Sequence, residues 1–299
     1  MPRVLHLVDV SSAIYAGAVN LHSFIQGDVV ETEGGYREQI IPTGGTSLLF
    51  NSIYKYLKTG PMVFCCDRVP YVKRGMFPDY KITRTHKDKI LVQKQVAEYI
   101  LQDCGFDVLF EEGYEADDLI SSCVDKFRDD FDHVYIHTAD SDLYFLVKDN
   151  VSILPTHSRA KEVNIRNYEV VIKSNEFIPY NSILFYKMIK GDSTKSLSPL
   201  KGNQKDKILS LLNNNSYVKL MGDKDFMREI IGHIVPELLL RFDLTFPLQV
   251  SIPDELIDKS NVQRIKGWAY EVRNYKIPSQ KMDLSEEVKA LFESGLYIM

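Results

Sequence analysis

Apolar residues in the first half of this chain come in short bursts, and most bursts end on or just before an acid. Residues 3–10 alternate as a buried strand would, with Asp9 near their end. Residues 62–66 form a continuous apolar run that stops at Asp67. Residues 106–110, 133–137 and 151–154 are further strand-length segments. Between them the spacing turns helical: over 48–57 after the Gly44-Gly45 turn, over 90–104 (Val92, Val96, Tyr99, Ile100), and over 116–127. Strands that alternate with helices predict an α/β fold, a mostly parallel twisted sheet with helices on both faces. After about residue 181 the pattern is helical, over 182–189, 205–212 and 226–242. A segment punctuated by Pro247 and Pro253 and a short C-terminal helix follow. Two regions are therefore expected, 1–181 and 182–299, packed together without a long linker.

In parallel sheets of this kind ligands bind beyond the carboxyl ends of the strands, so the acids that close the apolar runs gain interest. Asp9, Asp67 and Asp140 sit at or just past such ends and should converge on one crevice. Asp142 follows in TADSD, Glu115, Asp117 and Asp118 open a helix in YEADDLI, and Asp192 lies in KGDS. Each has an ordinary use when taken singly. Carboxylates in a first helical turn gain roughly 0.3–1 kcal/mol from the helix dipole, and an Asp after a strand is commonly a turn residue. Five clusters at successive element ends are harder to explain as five independent caps. Gathered carboxylates repel one another and lose solvation, so a fold keeps them mainly to hold hard cations. The simplest chemistry for such a cage is metal-assisted hydrolysis of a phosphodiester, with water as the nucleophile.

Composition narrows the setting. The 299 residues are 44% hydrophobic and 26% charged, as in an ordinary globular chain. The richest apolar stretch, 230–242, is broken by His233, Pro236 and Arg241, so no membrane span is expected. The N-terminus reads as a strand rather than a signal peptide. Cys65, Cys66, Cys104 and Cys123 lack metal-ligand spacing and read as reduced core thiols of a cytoplasmic protein. His6 and His137 read as packing residues, since no histidine falls in the acidic clusters. The net charge of −5 becomes +3 when the eight candidate ligands are set aside, so overall charge does not exclude a nucleic-acid partner.

Local charge points toward one. From 68 to 101, eight cations (Arg68, Lys73, Arg74, Lys81, Arg84, Lys87, Lys89, Lys94) face three acids, with Tyr71, Phe77 and Tyr80 interleaved. Cations with aromatic rings suit a single strand, whose phosphates meet charge and whose bases stack; a solvated helix face with packed rings is the alternative. In 43–47, PTGGTS before a helix offers backbone N–H groups to a phosphate or is a plain turn and cap.

The motifs VDVSSAIYA, CCD with a downstream FPDYKITR, GYEADDLI, TADSDLYFLV and KMIKGDS, in that order over roughly residues 1–245, resemble the flap endonuclease/5′-to-3′ exonuclease family. That family includes bacteriophage enzymes of the ribonuclease H type and the 5′-nuclease domains of bacterial DNA polymerases. The resemblance implies a PIN-like nuclease domain, two divalent ions (Mg²⁺, with Mn²⁺ as a substitute), and hydrolysis near the 5′ end of branched, nicked or RNA-primed DNA in replication or repair. By position, Asp9, Asp67, Glu115 and Asp117 resemble the ligands of the first ion. Asp118, Asp140, Asp142 and Asp192 resemble those of the second. Asp67 and Asp140 are nominated as catalytic together with Lys81 and Arg84, whose YKITR resembles the foot of the family's helical arch, here about 73–94. Lys81 and Arg84 would hold the scissile phosphate and Tyr80 would stack on a base; Arg74 and Lys87 are further nominations. One departure stands out: GDSTKSLSP places Lys195 where the family carries a second acid.

The stretch SPLKGNQKDKILSLL resembles the family's helix–hairpin–helix, with Lys201, Lys205 and Lys207 available for duplex phosphates. Its glycine pattern is largely lost, which argues against a bound monovalent cation. The resemblance favours a monomer with DNA, or an RNA/DNA hybrid, as partner, and no membrane. A stand-alone nuclease of this kind fits a bacteriophage protein in the host cytoplasm. Two other readings remain open: a structure-selective DNA-binding protein with little turnover, motivated by Lys195, and a PIN-type ribonuclease acting on single strands.

Overall fold

The computed structural model describes residues 2–17, 24–32, 35–42, 44–53, 56–82, 88–103, 105–156, 162–164, 166, 183–213 and 224–257. Its centre is a five-stranded sheet built from β1 (Val4–Asp9), β4 (Met62–Cys65), β5 (Asp107–Leu109), β6 (His133–His137) and β7 (Val151–Leu154), in the order β5-β4-β1-β6-β7. Every pairing is parallel, and β1 lies in the middle. A separate antiparallel pair, β2 (Phe24–Thr32) and β3 (Gly35–Pro42), precedes α2 (Gly44–Ile53); the apolar pattern did not announce it.

Alternation along the strands assigns the two faces. Leu5, Leu7, Val63, Cys65, Val134 and Ile136 pack under α5 (Ala116–Phe127) through Leu119, Ile120, Cys123 and Val124. Val8, Met62 and Phe64 point the other way, onto α1 (Val10–Gly17), α2 and α4 (Asp88–Asp103). The α5 face is shared with α6 (Ile183–Lys190), α7 (Gly202–Asn213), α8 (Lys224–Ile234) and α9 (Leu239–Thr245). Phe185, Phe242 and Phe246 join Phe145 there, with Phe242 and Phe246 stacked at 4.1 Å. The helical region thus completes the core of the sheet.

The expected helix over 226–242 is two helices. Proline has no N–H to give and crowds the preceding turn, so α8 stops at Ile234 and Pro236 opens a short 3₁₀ turn before α9. The expected C-terminal helix lies outside the described residues. Cys65, Cys66 and Cys123 are buried free thiols, and Cys104 is not described. Among the described residues, no helix is long and apolar enough to cross a membrane.

Candidate active site

Because β1, β4 and β6 are adjacent and parallel, the acids that follow them leave the sheet at one edge. Asp9, at the end of β1, is only 4% exposed. Its Oδ1 accepts the Ser12 amide at 2.9 Å and its Oδ2 accepts the Thr138 hydroxyl at 2.8 Å. Thr138 Oγ1 in turn accepts the Asp140 amide at 3.0 Å, so one hydroxyl sets both acids. Asp67 is fixed by the start of α5, where the Ala116 amide donates to Oδ1 at 2.8 Å.

Helix α5 begins as its sequence demands. Glu115 holds the N-cap position in extended backbone, and its amide donates to Asp118 Oδ2 at 3.0 Å. Asp117 and Asp118 in the first turn suit the positive end of the helix dipole. They part company there. Asp117 lines a cavity of about 500 Å³ together with Asp9, Asp67, Glu115, Asp140 and Lys81. Asp118 is fully buried, and its Oδ1 accepts from Lys73 at 2.9 Å and from the Leu248 amide at 2.6 Å.

Lysines divide the remaining acids. Glu115 Oε2 takes Lys73 at 3.0 Å and the Tyr80 hydroxyl at 2.9 Å, while Oε1 takes Lys81. Burial works against the charge of Glu115, but Lys73 and Lys81 outweigh it and hold the carboxyl well below the usual range. Asp67 follows suit: burial opposes its charge and Lys94, 3.0 Å from Oδ2, keeps it ionised. Among the described residues no ammonium lies within ion-pair distance of Asp9 or Asp117. Burial, then Asp67, pushes Asp9 up to about 7. Burial, then Asp140 and Asp9, pushes Asp117 well above its ordinary value. An oxygen-only set with two such strained carboxylates has the chemistry of a hard divalent-cation site, since a cation would relieve the repulsion. Asp9, Asp67, Asp117 and Asp140 fit that group.

Of the other half of the expected set, Asp140 lines the cavity, while Asp118, Asp142 and Asp192 are engaged by partners of their own. Asp117, Asp140 and Asp142 each offer an oxygen within 4.8 Å of the others. Asp142, however, carries Lys195 on Oδ2 at 2.7 Å and Lys187 on Oδ1. Asp192 caps its own 3₁₀ turn, accepting the Thr194 amide at 2.8 Å and hydroxyl at 2.6 Å. Neither Asp118 nor Asp192 lines the cavity.

A family model described as the 5′-3′ exonuclease N-terminal resolvase-like domain matches residues 4–175. The chain belongs to the 5′–3′ exonuclease family. A 5′-3′ exonuclease of Aquifex aeolicus is 26% identical over 277 residues, covering 88% of this chain and 90% of its own. DNA polymerase I of Caldicellulosiruptor bescii is 26% identical over 84% of this chain, which spans only 31% of that longer protein. Among solved structures, the T5 D15 protein co-crystallised with metal ions shares the fold with a TM-score of 0.53 at 14% identity, over 97% of this chain and 99% of its own. A variant of the same bacteriophage protein, a flap endonuclease in a pseudo-enzyme–product complex with DNA and metal ions, gives 0.52 at 16% identity, over 97% and 98%.

Within this family frame the nominated nucleic-acid residues separate. Lys81 lines the cavity, is 6% exposed, and holds a positive φ of 52°, a backbone state that costs a non-glycine residue about 1–3 kcal/mol. Tyr80 corrects an expectation: it is fully buried, its ring packs with Leu197 and Leu244, and its hydroxyl is spent on Glu115, so no face is open to a base. Arg74 reaches the Tyr80 carbonyl through Nε at 3.4 Å. Lys201 and Lys205 are exposed beside and on α7, and Lys207 is half-buried there. Arg84 and Lys87 lie outside the described residues. Of the two readings of PTGGTS, Gly45 favours the plain turn: its amide donates internally to Gln93 Oε1 at 2.6 Å, where an added Cβ would clash.

Four residues that matter here were not nominated from sequence: Thr138, Lys73, Lys94 and Lys187. Lys73 and Lys94 stood only as part of a basic segment, whereas the fold turns them inward onto Glu115, Asp118 and Asp67. Their faint signal is placement, since each is a cation on a helix otherwise packed against acid-bearing ends.

Proposed function

We propose that this chain is a divalent-metal-dependent 5′-nuclease that hydrolyses phosphodiesters at 5′ ends or flaps of branched, nicked or RNA-primed DNA. The observation that carries this reading is the convergence of Asp9, Asp67, Asp117 and Asp140, with Lys81, on one open cavity at the carboxyl edge of the sheet. Membership of the 5′–3′ exonuclease family supports the reaction class, and the DNA and metal ions named for the T5 protein support the partner and the cofactor.

A divalent cation held by these carboxylates would supply Lewis-acid charge that lowers the pKa of water and offsets phosphate charge. The chain's own groups do the rest. Thr138 and Ser12 orient Asp9, and the Ala116 amide orients Asp67, so the donor oxygens are arranged before substrate arrives. Lys81 shares its ammonium with Glu115 in the free protein, and an incoming phosphate would compete for it. The half-exposed Asp140 leaves the cavity in reach of solvent and of a bound strand.

The test is a 5′-labelled flap duplex and its RNA-primed equivalent, incubated with the protein in Mg²⁺ and in Mn²⁺ beside an Asp140→Asn/Asp142→Asn double variant. Cleavage near the junction that the double variant loses supports the reading and ranks DNA against RNA. Tight binding to branched DNA without cleavage in either metal would replace it with a DNA-binding protein.

A further inference from the structure

The nuclease reading leaves one buried cation without a task. Lys195 is 5% exposed, yet its ammonium sits 2.7 Å from Asp142 Oδ2 and 3.4 Å from the Thr245 carbonyl. Resting on that reading, we propose that Lys195 fills a cation position of the active site with its own ammonium, so that this chain binds one divalent ion rather than two.

The position of Lys195 is built rather than incidental. Gly191 turns the chain with a φ of +80°, where a Cβ would stand 2.5 Å from the Leu197 carbonyl oxygen. Asp192 then caps the turn through Thr194, Asp192 and Leu197 bridge, and Ser196 closes it in the left-handed region at φ 60°. Leu197 anchors the far side in the cluster with Tyr80 and Leu244. These contacts fix the backbone that carries Lys195, and burial, Asp142 and the Thr245 carbonyl hold its ammonium in place.

Charge completes the case. Asp142 brings one negative charge, and two ammonium groups, Lys195 and Lys187, share its oxygens. A divalent ion binding among Asp117, Asp140 and Asp142 would have to displace both ammonium groups from Asp142 or sit beside them, against two like charges. Asp192, the other acid of this side, has turned its carboxylate to Thr194. Among the described residues Asp9 and Asp117 have no ammonium within ion-pair distance, and with Asp67 they line the cavity where one cation is favoured. Lys187, 4.0 Å from Asp140, adds fixed positive charge next to that position. Lys195 is therefore a positioning residue that holds Asp142 and supplies permanent charge.

Electron paramagnetic resonance of Mn²⁺ titrated into the metal-free full chain tests this, with wild type beside Lys195→Asp and Lys195→Met and circular dichroism to check folding. Wild type should saturate at one Mn²⁺ per chain with the spectrum of an isolated ion. A folded Lys195→Asp chain should take up a second Mn²⁺, with the broadening of a coupled pair about 3.5–4 Å apart; Lys195→Met should stay at one. Two ions on wild type overturn the inference without need of any variant, and a folded Lys195→Asp chain that still binds one removes Lys195 as the cause. Flap cleavage by the same wild-type preparation separates the two readings. One ion without cleavage sinks the nuclease and keeps the occupancy, two ions with cleavage do the reverse, and no ion at millimolar Mn²⁺ overturns both.

Discussion

Thr138 donates its buried hydroxyl to Asp9 Oδ2 at 2.8 Å, and through the same oxygen it receives the amide of Asp140. The last residue of the central strand and the first acid beyond its neighbour are thereby set by a group with no charge of its own. Replacing it by valine keeps the shape and removes both bonds. Thr138→Val should weaken Mn²⁺ binding about 10–100-fold, the usual effect of losing an outer partner of a ligand. Thr138→Ser should restore most of it. Calorimetric titration of the metal reads both, and unchanged affinity in the valine variant would remove Thr138 from the site.

Asp117 and Asp118 are neighbours in sequence with opposite expected phenotypes. Asp118 pairs with Lys73 and receives the Glu115 amide, both buried, and the part-buried Leu248 amide. Asp118→Ala leaves Lys73 short of a partner and two amides unpaired, at about 3–5 kcal/mol. Asp117→Ala instead removes a carboxylate that burial and its neighbours disfavour. In metal-free buffer it should be at least as stable as wild type while losing nuclease activity. Urea unfolding of both variants with chelator present distinguishes them; equal destabilisation contradicts the division.

Lys94 should behave as a counter-ion in the metal-free protein. Its ammonium lies 3.0 Å from Asp67 Oδ2, and both side chains keep part of their water. Lys94→Met should lower metal-free stability by roughly 1–2 kcal/mol, discounted from the buried-pair range because of that exposure. Divalent metal should then restore more stability to the variant than it adds to wild type. Thermal melts with chelator and with Mn²⁺ give the comparison, and equal metal-induced shifts would tell against it.

Acid should destabilise the protein through a buried histidine that does not line the cavity. His6 is fully buried, bonded to His137 at 2.9 Å and to Thr59 Oγ1 at 2.7 Å, and burial, then His133, lowers it from 6.5 to about 4. The unfolded chain therefore binds a proton between those values that the native state refuses. Its contribution is fully present above pH 6.5, falls as pH drops, and is gone below about 4. The loss is on the order of 3 kcal/mol. Urea midpoints for wild type and His6→Gln across this window check it, since the variant should lose part of the slope.

The sheet and α5 were legible because their signals are local. Apolar residues at every second position, Val134 and Ile136 then Val151 and Ile153, mark 133–137 and 151–154 as strands, and Glu115 before Ala116 marks a helix start. The acids at strand ends were legible because parallel topology sends Asp9, Asp67 and Asp140 to one edge. Orientation was not. Nothing in YEADDLI distinguishes Asp117 from Asp118; the difference arises when Leu248, from another part of the chain, bonds Asp118. Tyr80 read as a stacking ring because its neighbours are cationic, whereas Leu197 and Leu244, which bury it, are remote in sequence. Lys195 was visible as a substitution against the family pattern, and only the fold shows its ammonium resting on Asp142.

The Thr138–Asp9 bond joins residues 129 positions apart, and the Leu248–Asp118 bond spans 130. Synthesis from the N-terminus therefore releases Asp9 long before its setting exists. β1 can pair with β4 early, but its other edge waits for β6, and the anchor of Asp118 comes later still. Contacts this distant in sequence close slowly. On the ribosome Asp9 therefore waits until β6 and Thr138 emerge, and Asp118 gains its last partner only with Leu248.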